Sequence, residues 1–174
     1  VKQIERKPLM KVLVISDIHG SSYYAKKIKE INKKEEPDKI IVLGDLYYHG
    51  PRNELTQEYK PMEVAKILNS LKEKLIVIKG NCDSEVDQTI SEFDFKENVE
   101  ININGYNVFL THGHKYNMDR LPPLGYLFVD IILAVANLVH DLGGEVDKVI
   151  PNLNSIESIM LNIKTNEQLR EQAY

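Results

Sequence analysis

Lys11-Val12-Leu13-Val14-Ile15-Ser16-Asp17-Ile18-His19-Gly20 is the stretch that decides how this chain folds. Val12 to Ile15 is an apolar run that reads as a buried strand, and it ends in a carboxylate and an imidazole one residue apart. The same kind of ending recurs three times: Ile40-Ile41-Val42-Leu43-Gly44-Asp45, Leu75-Ile76-Val77-Ile78-Lys79-Gly80-Asn81, and Val108-Phe109-Leu110-Thr111-His112. Open α/β sheets bind ligands at the C-terminal ends of their strands. Four strands that deliver Asp and His, Asp, Asn and His to those ends therefore describe a site.

Outward from these strands, the first 80 residues alternate strand and helix. Ser21-Ser22 offers an N-cap to a helix with Ala25, Ile28 and Ile31 on one face and Lys26, Lys27, Lys29 and Lys33 on the other. Pro37-Asp38 ends it. A polar loop from Tyr47 to Lys60 precedes a second helix that starts at Pro61 and buries Val64, Ala65, Ile67, Leu68 and Leu71. This order implies a parallel βαβ sheet with right-handed crossovers. The pattern then changes: Val99 to Ile103 and Tyr106 to Thr111 flank Asn104-Gly105, the signal of a two-residue hairpin turn. Residues 124 to 139 form an apolar run, and Ser155 to Gln172 reads as a terminal helix with Ile156, Ile159 and Ile163 on one face.

Bulk composition narrows the function classes. At 174 residues one domain is enough, expected over 10–174 with residues 1–9 as an extension ahead of Met10. A hydrophobic fraction of 43% beside 28% charged residues is that of a globular domain. A net charge of -4 provides no basic field for nonspecific nucleic-acid binding. The single cysteine, Cys82, excludes an internal disulfide, and the expected compartment is the cytoplasm. The 124–139 run is too short for a membrane span and carries Asp130 and Asn137.

The strand-end residues suit a pair of metal ions. Such a centre needs one carboxylate bridging both ions and terminal ligands for each. Asp45, alone after Gly44, suits the bridge; Asp17 and His19 complete one ion, and Asn81 and His112 the other. The donors are oxygen and nitrogen, which suits manganese, iron or zinc better than a thiolate-seeking metal. Each residue also has a plainer reading, as a cap, a turn residue or a core histidine, and it is their order and shared placement that favours a metal site. Arg52 and Asn53, after His49-Gly50-Pro51, read either as a clamp on a nonbridging phosphate oxygen or as solvated loop. His114 reads either as a general acid or as a loop histidine beside the site.

Asp17-Ile18-His19, Gly44-Asp45, Gly80-Asn81-Cys82-Asp83 and Thr111-His112-Gly113-His114 together resemble the motifs of the calcineurin-like metallophosphoesterase superfamily. Residues 44–53 and 80–88 are similar to its short bacterial YfcE-type phosphodiesterases in particular. The resemblance covers Met10 to about Leu124. It implies a four-layer α/β sandwich and a centre of two divalent ions, most often manganese, with iron, zinc or nickel as alternatives. Its ligands would be Asp17, His19, Asp45, Asn81 and His112. The expected reaction is hydrolysis of a small or nucleotide-like phosphodiester by a metal-held hydroxide, with Asp45 and His114 as the catalytic pair.

Two departures stand out. Cys82 occupies the place where many members carry a histidine that protonates the leaving group, and a neutral thiol is a poor donor. The late Gly-His-x-His that brings a further histidine to each ion is absent after His114, and the one later histidine is His140. The C-terminal third from about residue 125 is thus atypical. A missing late strand would leave a sheet edge to be covered by the 124–139 segment or by a second subunit. These departures keep open a second function class, a weak or inactive phosphoesterase-fold scaffold for protein interaction, and a third reading as an altered product of an active parent.

Overall fold

The computed structural model describes residues 9–116, residue 120, and two later strands at 127–129 and 159–161. Its elements are β1 (Val12–Ile15), α1 (Ser22–Glu35), β2 (Lys39–Val42), α2 (Pro61–Asn69), β3 (Leu75–Ile78), α3 (Glu85–Ile90), β4 (Phe95–Lys96), β5 (Val99–Ile103), β6 (Tyr106–Leu110), β7 (Leu127–Val129) and β8 (Ile159–Leu161), with one 3-10 turn at Lys72–Lys74.

The continuous apolar strands are explained by a sheet covered on both faces. In β1, Leu13 and Ile15 face the helices while Val12 faces the second sheet; in β2 and just beyond it, Ile40 and Val42 face the helices while Ile41 and Leu43 face the other way. One core packs this sheet against Ala25 and Ile28 of α1 and Val64, Ala65 and Leu68 of α2. The other packs it against Ile103 of β5 and Val108 and Leu110 of β6. The strand order is β4-β3-β2-β1-β8 in the larger sheet and β5-β6-β7 in the smaller. β1 to β4 pair in parallel, as the alternation of strand and helix requires. The described residues thus make three layers of the expected sandwich, a helix layer and two sheets, and the fourth falls outside them.

Local signals behave as their chemistry dictates. Ser21 caps α1, its hydroxyl accepting from Tyr24 N, and Pro61 opens α2. Asn104 and Gly105 both have positive φ, 52° and 95°, as a tight hairpin turn demands. Asn104 does more than turn the chain: its Oδ1 accepts from Met10 N at 2.7 Å and its Nδ2 donates to Met10 O at 3.1 Å, which ties the hairpin to the start of β1.

One expectation is corrected. The helix expected from Ser155 to Gln172 is not what forms at Ile159–Leu161, which is a strand antiparallel to β1, with Leu13 opposite Met160. The outer edge of β1 presents unpaired backbone groups, and a strand at Ile159–Leu161 pairs with them, which a helix cannot do. The remainder of that expected helix lies outside the described residues. The 124–139 run supplies β7, which pairs in parallel with β6 and so covers its edge from within the chain. No helix among the described residues is long and apolar enough to cross a membrane.

The Asn104 bridge gives a direct test. Asn104→Gly keeps the positive φ but removes two partly buried hydrogen bonds, so it is expected to lower stability by about 1–2 kcal/mol. Asn104→Ala should lower it by roughly 1 kcal/mol more, because alanine resists that φ. Urea unfolding midpoints of the two variants check the order.

Candidate metal centre

The centre is assembled by the continuation of the β1–β2 ladder beyond both strands. Asp17 N donates to Gly44 O at 3.0 Å, His19 N to Asp45 O at 2.9 Å and Gly20 N to Leu46 O at 2.8 Å. Asp17 and His19 therefore travel alongside Asp45. All three sit in the left-handed region, with φ of 54°, 47° and 58°. Non-glycine residues seldom adopt this conformation, and such strain gathers where a site needs side chains aimed at one point.

Gly44 and Gly80 bring the next strand in. A Cβ on Gly44 would lie 2.6 Å from the backbone of Gly80, and one on Gly80 would collide with Asp45. Only two bare backbones let the loops after β2 and β3 touch. Cys82 N then donates to Asp45 Oδ1 at 2.8 Å, placing Asn81 and Cys82 over the Asp45 carboxylate.

The histidines carry the clearest chemical signal. His19 Nδ1 lies 2.7 Å from Tyr48 O, and His112 Nδ1 lies 2.6 Å from Leu43 O. A carbonyl oxygen only accepts, so both Nδ1 atoms bear a proton, and Nε2 is the nitrogen that each ring turns to the cluster. Both Nε2 atoms converge on Asp45: His19 at 3.6 Å from Oδ2 and His112 at 3.7 Å from Oδ1. His19 Nε2 is also 3.3 Å from Asp17 Oδ1, and His112 Nε2 is 2.8 Å from Asn81 Oδ1. Ligand atoms of Asp17, Asp45 and His112 lie within 4.8 Å of one another, as do those of His19, Asp45 and Cys82. The donor set fits divalent cations. Imidazoles oriented by a carbonyl on the far nitrogen are how proteins present metal ligands.

Without an ion the cluster balances its own charge. The hydrogen bond that His19 donates to Asp17, helped by the Tyr48 carbonyl and the Asp45 charge, outweighs burial and raises His19 to about 9, so the ring is cationic at neutral pH. Burial, reinforced by the carboxylates of Asp45, Asp83 and Asp17, pushes the Cys82 thiol up to about 12. It carries its proton at neutral pH and is no thiolate nucleophile.

The family profile described as calcineurin-like phosphoesterase matches residues 10–162. The chain belongs to the calcineurin-like phosphoesterase family. It is 38% identical over 117 residues to phosphodiesterase YfcE of Escherichia coli (strain K12), a match covering 67% of this chain and 64% of that protein. The solved structure of Yfce, a phosphoesterase from E. coli, matches with a TM-score of 0.65 at 38% identity, over 66% of this chain and 64% of that one. The chain thus spans less than two thirds of the length of these relatives.

Of the residues singled out in this calcineurin-like phosphoesterase from sequence, Asp17, His19, Asp45, Asn81 and His112 are brought together. His114 is exposed at the rim, its ring centroid 5.3 Å from that of His112. Partial burial, aided by His112 and Lys115, lowers its pKa and keeps it mostly neutral at pH 7. Arg52 and Asn53 are exposed, and the Asn53 amide donates to His49 O at 3.1 Å, closing its own loop. His140 lies outside the described residues.

The residue that motif reading passed over is Asp83. Its buried carboxylate accepts from Asp45 N at 2.8 Å, Gly80 N at 2.7 Å and Leu46 N at 2.8 Å. Burial raises its pKa, and the three N–H donors work against that rise. The available signal was an acidic residue inside an otherwise small and polar turn.

Two outcomes follow for the metal-free protein. A raised folded-state pKa at His19 means stability fully present below about pH 6.5 and lost as pH rises through about 9. The melting temperature should fall across that window, and His19→Gln should flatten the fall. Asp83→Ala leaves three buried N–H groups without an acceptor and is expected to lower stability by at least about 3 kcal/mol, with Asp83→Asn intermediate. Urea unfolding of both variants checks this.

Proposed function

We propose that this chain is a divalent-metal-dependent phosphodiesterase acting on a small or nucleotide-like phosphoester. The observation that carries the reading is the pair of imidazoles whose Nδ1 atoms are committed to Tyr48 O and Leu43 O while both Nε2 atoms face Asp45. In this reading Asp17 and His19 hold one ion, Asn81 and His112 the other, and Asp45 bridges. Manganese is the metal of choice, with iron, zinc or nickel as alternatives for the same oxygen and nitrogen donors. Divalent ions supply Lewis acidity toward phosphoryl oxygens and lower the pKa of water toward about 7.

The chain's own groups account for the rest. Asp45, buried and held through Cys82 N, keeps a fixed negative charge between the two imidazoles. Arg52, exposed on the loop beyond Asp45, would hold a nonbridging oxygen in this reading. Neither Cys82 nor His114 is a strong proton donor at pH 7, one because its proton is held too tightly and the other because it is mostly absent. Substrates with good leaving groups, which depart without protonation, suit this chain best. The absence from the sequence of a second Gly-His-x-His favours the alternative, a weak or inactive scaffold of the same fold.

Hydrolysis of bis-p-nitrophenyl phosphate with added manganese separates the two. Turnover that requires the metal and falls at least about a hundredfold in Asp45→Asn is expected. A folded protein that shows no turnover at saturating manganese would establish the scaffold instead.

A further inference from the structure

Three rings in the loop after β2 stand in a row. Tyr48 meets His49 edge to face, with centroids 4.8 Å apart, and His49 meets Tyr59 in the same way at 5.3 Å. Tyr59 is in turn anchored by its backbone bridge to Ser21 at the start of α1. His49 Nδ1 is buried and has no hydrogen-bond partner among the described residues, while the ring packs between those of Tyr48 and Tyr59. Tyr48 at the outer end of the row is 42% exposed.

The loop that carries the row is tied to the candidate ligand His19 at two points. At one end Tyr48 O accepts from His19 Nδ1 at 2.7 Å, and Thr56 Oγ1 donates to His19 O at 2.9 Å. Past the row, Gly50 lies against Cys82, where a Cβ would stand 3.7 Å from Sγ. The Tyr48 ring is therefore a large exposed aromatic surface, fixed by a neighbour at its edge, one side-chain length from a candidate ligand. An edge-to-face neighbour leaves a ring face open, and an open face beside a charged centre is where a flat group stacks. A group esterified to a phosphoryl at the centre would lie next to this loop, whose Tyr48 carbonyl already meets His19.

We propose that Tyr48 is a stacking platform for an aromatic group, a nucleobase or an aryl ester, attached to the phosphoryl group held at the centre. The inference rests on the proposed phosphodiesterase reading and narrows its substrate class to phosphoesters bearing an aromatic substituent. Stacking of a ring on an aromatic side chain tolerates many ring types, which fits a site without an evident base-reading array.

Calorimetric titration of the manganese-loaded protein with phenylphosphonate and methylphosphonate tests it, since both carry the same anionic head. The phenyl compound is expected to bind about tenfold more tightly. Tyr48→Leu, which keeps apolar bulk but removes the π face, should bring that ratio within about twofold, and Tyr48→Phe should restore it. A ratio unchanged in Tyr48→Leu, or no preference in the unmodified protein, overturns the platform while leaving the metal reading standing. A folded chain that takes up no manganese, or binds neither phosphonate, overturns the proposed function and this inference together.

Discussion

A buried carboxylate that must satisfy three backbone N–H groups is the constraint on which the centre depends. Asp83 joins the loop after β2, through Asp45 and Leu46, to the loop after β3, through Gly80. No strand pairing joins these two loops to each other at that point, since β2 ends at Val42 and β3 at Ile78. Buried N–H groups without acceptors would make this geometry unfavourable by several kcal/mol in all. Asp83 removes that penalty and fixes the distance between Asp45 and Asn81. The facing glycines are the other half of the same device, because the carboxylate can draw the loops together only where no Cβ stands between them.

Gathering Asp17, Asp45 and Asp83 in one place carries an electrostatic cost that the protein meets by two routes. Asp83 is neutralised in effect by backbone dipoles, which are always present. Asp17 and Asp45 instead lean on the proton of His19, which is held up to about 9. In the proposed reading a cation entering the cluster would replace that proton, so the group that stabilises the fold without it would compete with the ion for the same nitrogen. The left-handed backbone at Asp17, His19 and Asp45 belongs to this balance. Strain of that kind persists only where the surrounding ladder overdetermines it, and the hydrogen bonds from Asp17, His19 and Gly20 to Gly44, Asp45 and Leu46 do so here.

Legibility in the sequence followed the length of the physical signal. The doubly covered strands Val12–Ile15 and Lys39–Val42 were readable because both of their faces are apolar. The Asn104-Gly105 turn was readable because few residue pairs accept two positive φ values. The clustering of Asp17, His19, Asp45 and Asn81 could be read because parallel topology sends successive strand ends to one edge, whereas His112 arrives from β6 of the second sheet. α3 escaped notice although Ser84 and Asp87 form a capping box, since six residues with none buried leave no periodic stripe. β4 is two residues long, too short for any pattern. β8 misled for a different reason: Ile159 and its neighbours suit a helix locally, and only the open edge of β1, a distant partner, makes them a strand. Asp83 and the Tyr48–His49–Tyr59 row belong to this last class, because their meaning lies in contacts across more than one loop.

Tyr48 shows how one residue serves two purposes without conflict. Its carbonyl fixes the tautomer of His19 and so directs Nε2 toward Asp17 and Asp45. Its ring faces solvent at the rim. The first function belongs to the backbone and survives any substitution that preserves the loop, while the second belongs to the side chain alone. Such a division lets the orientation of a ligand stay constant while the surface that meets the substrate changes. In the proposed reading, selectivity would reside on the loop between β2 and α2 and reactivity on the strand ends. The two are joined at a single peptide unit.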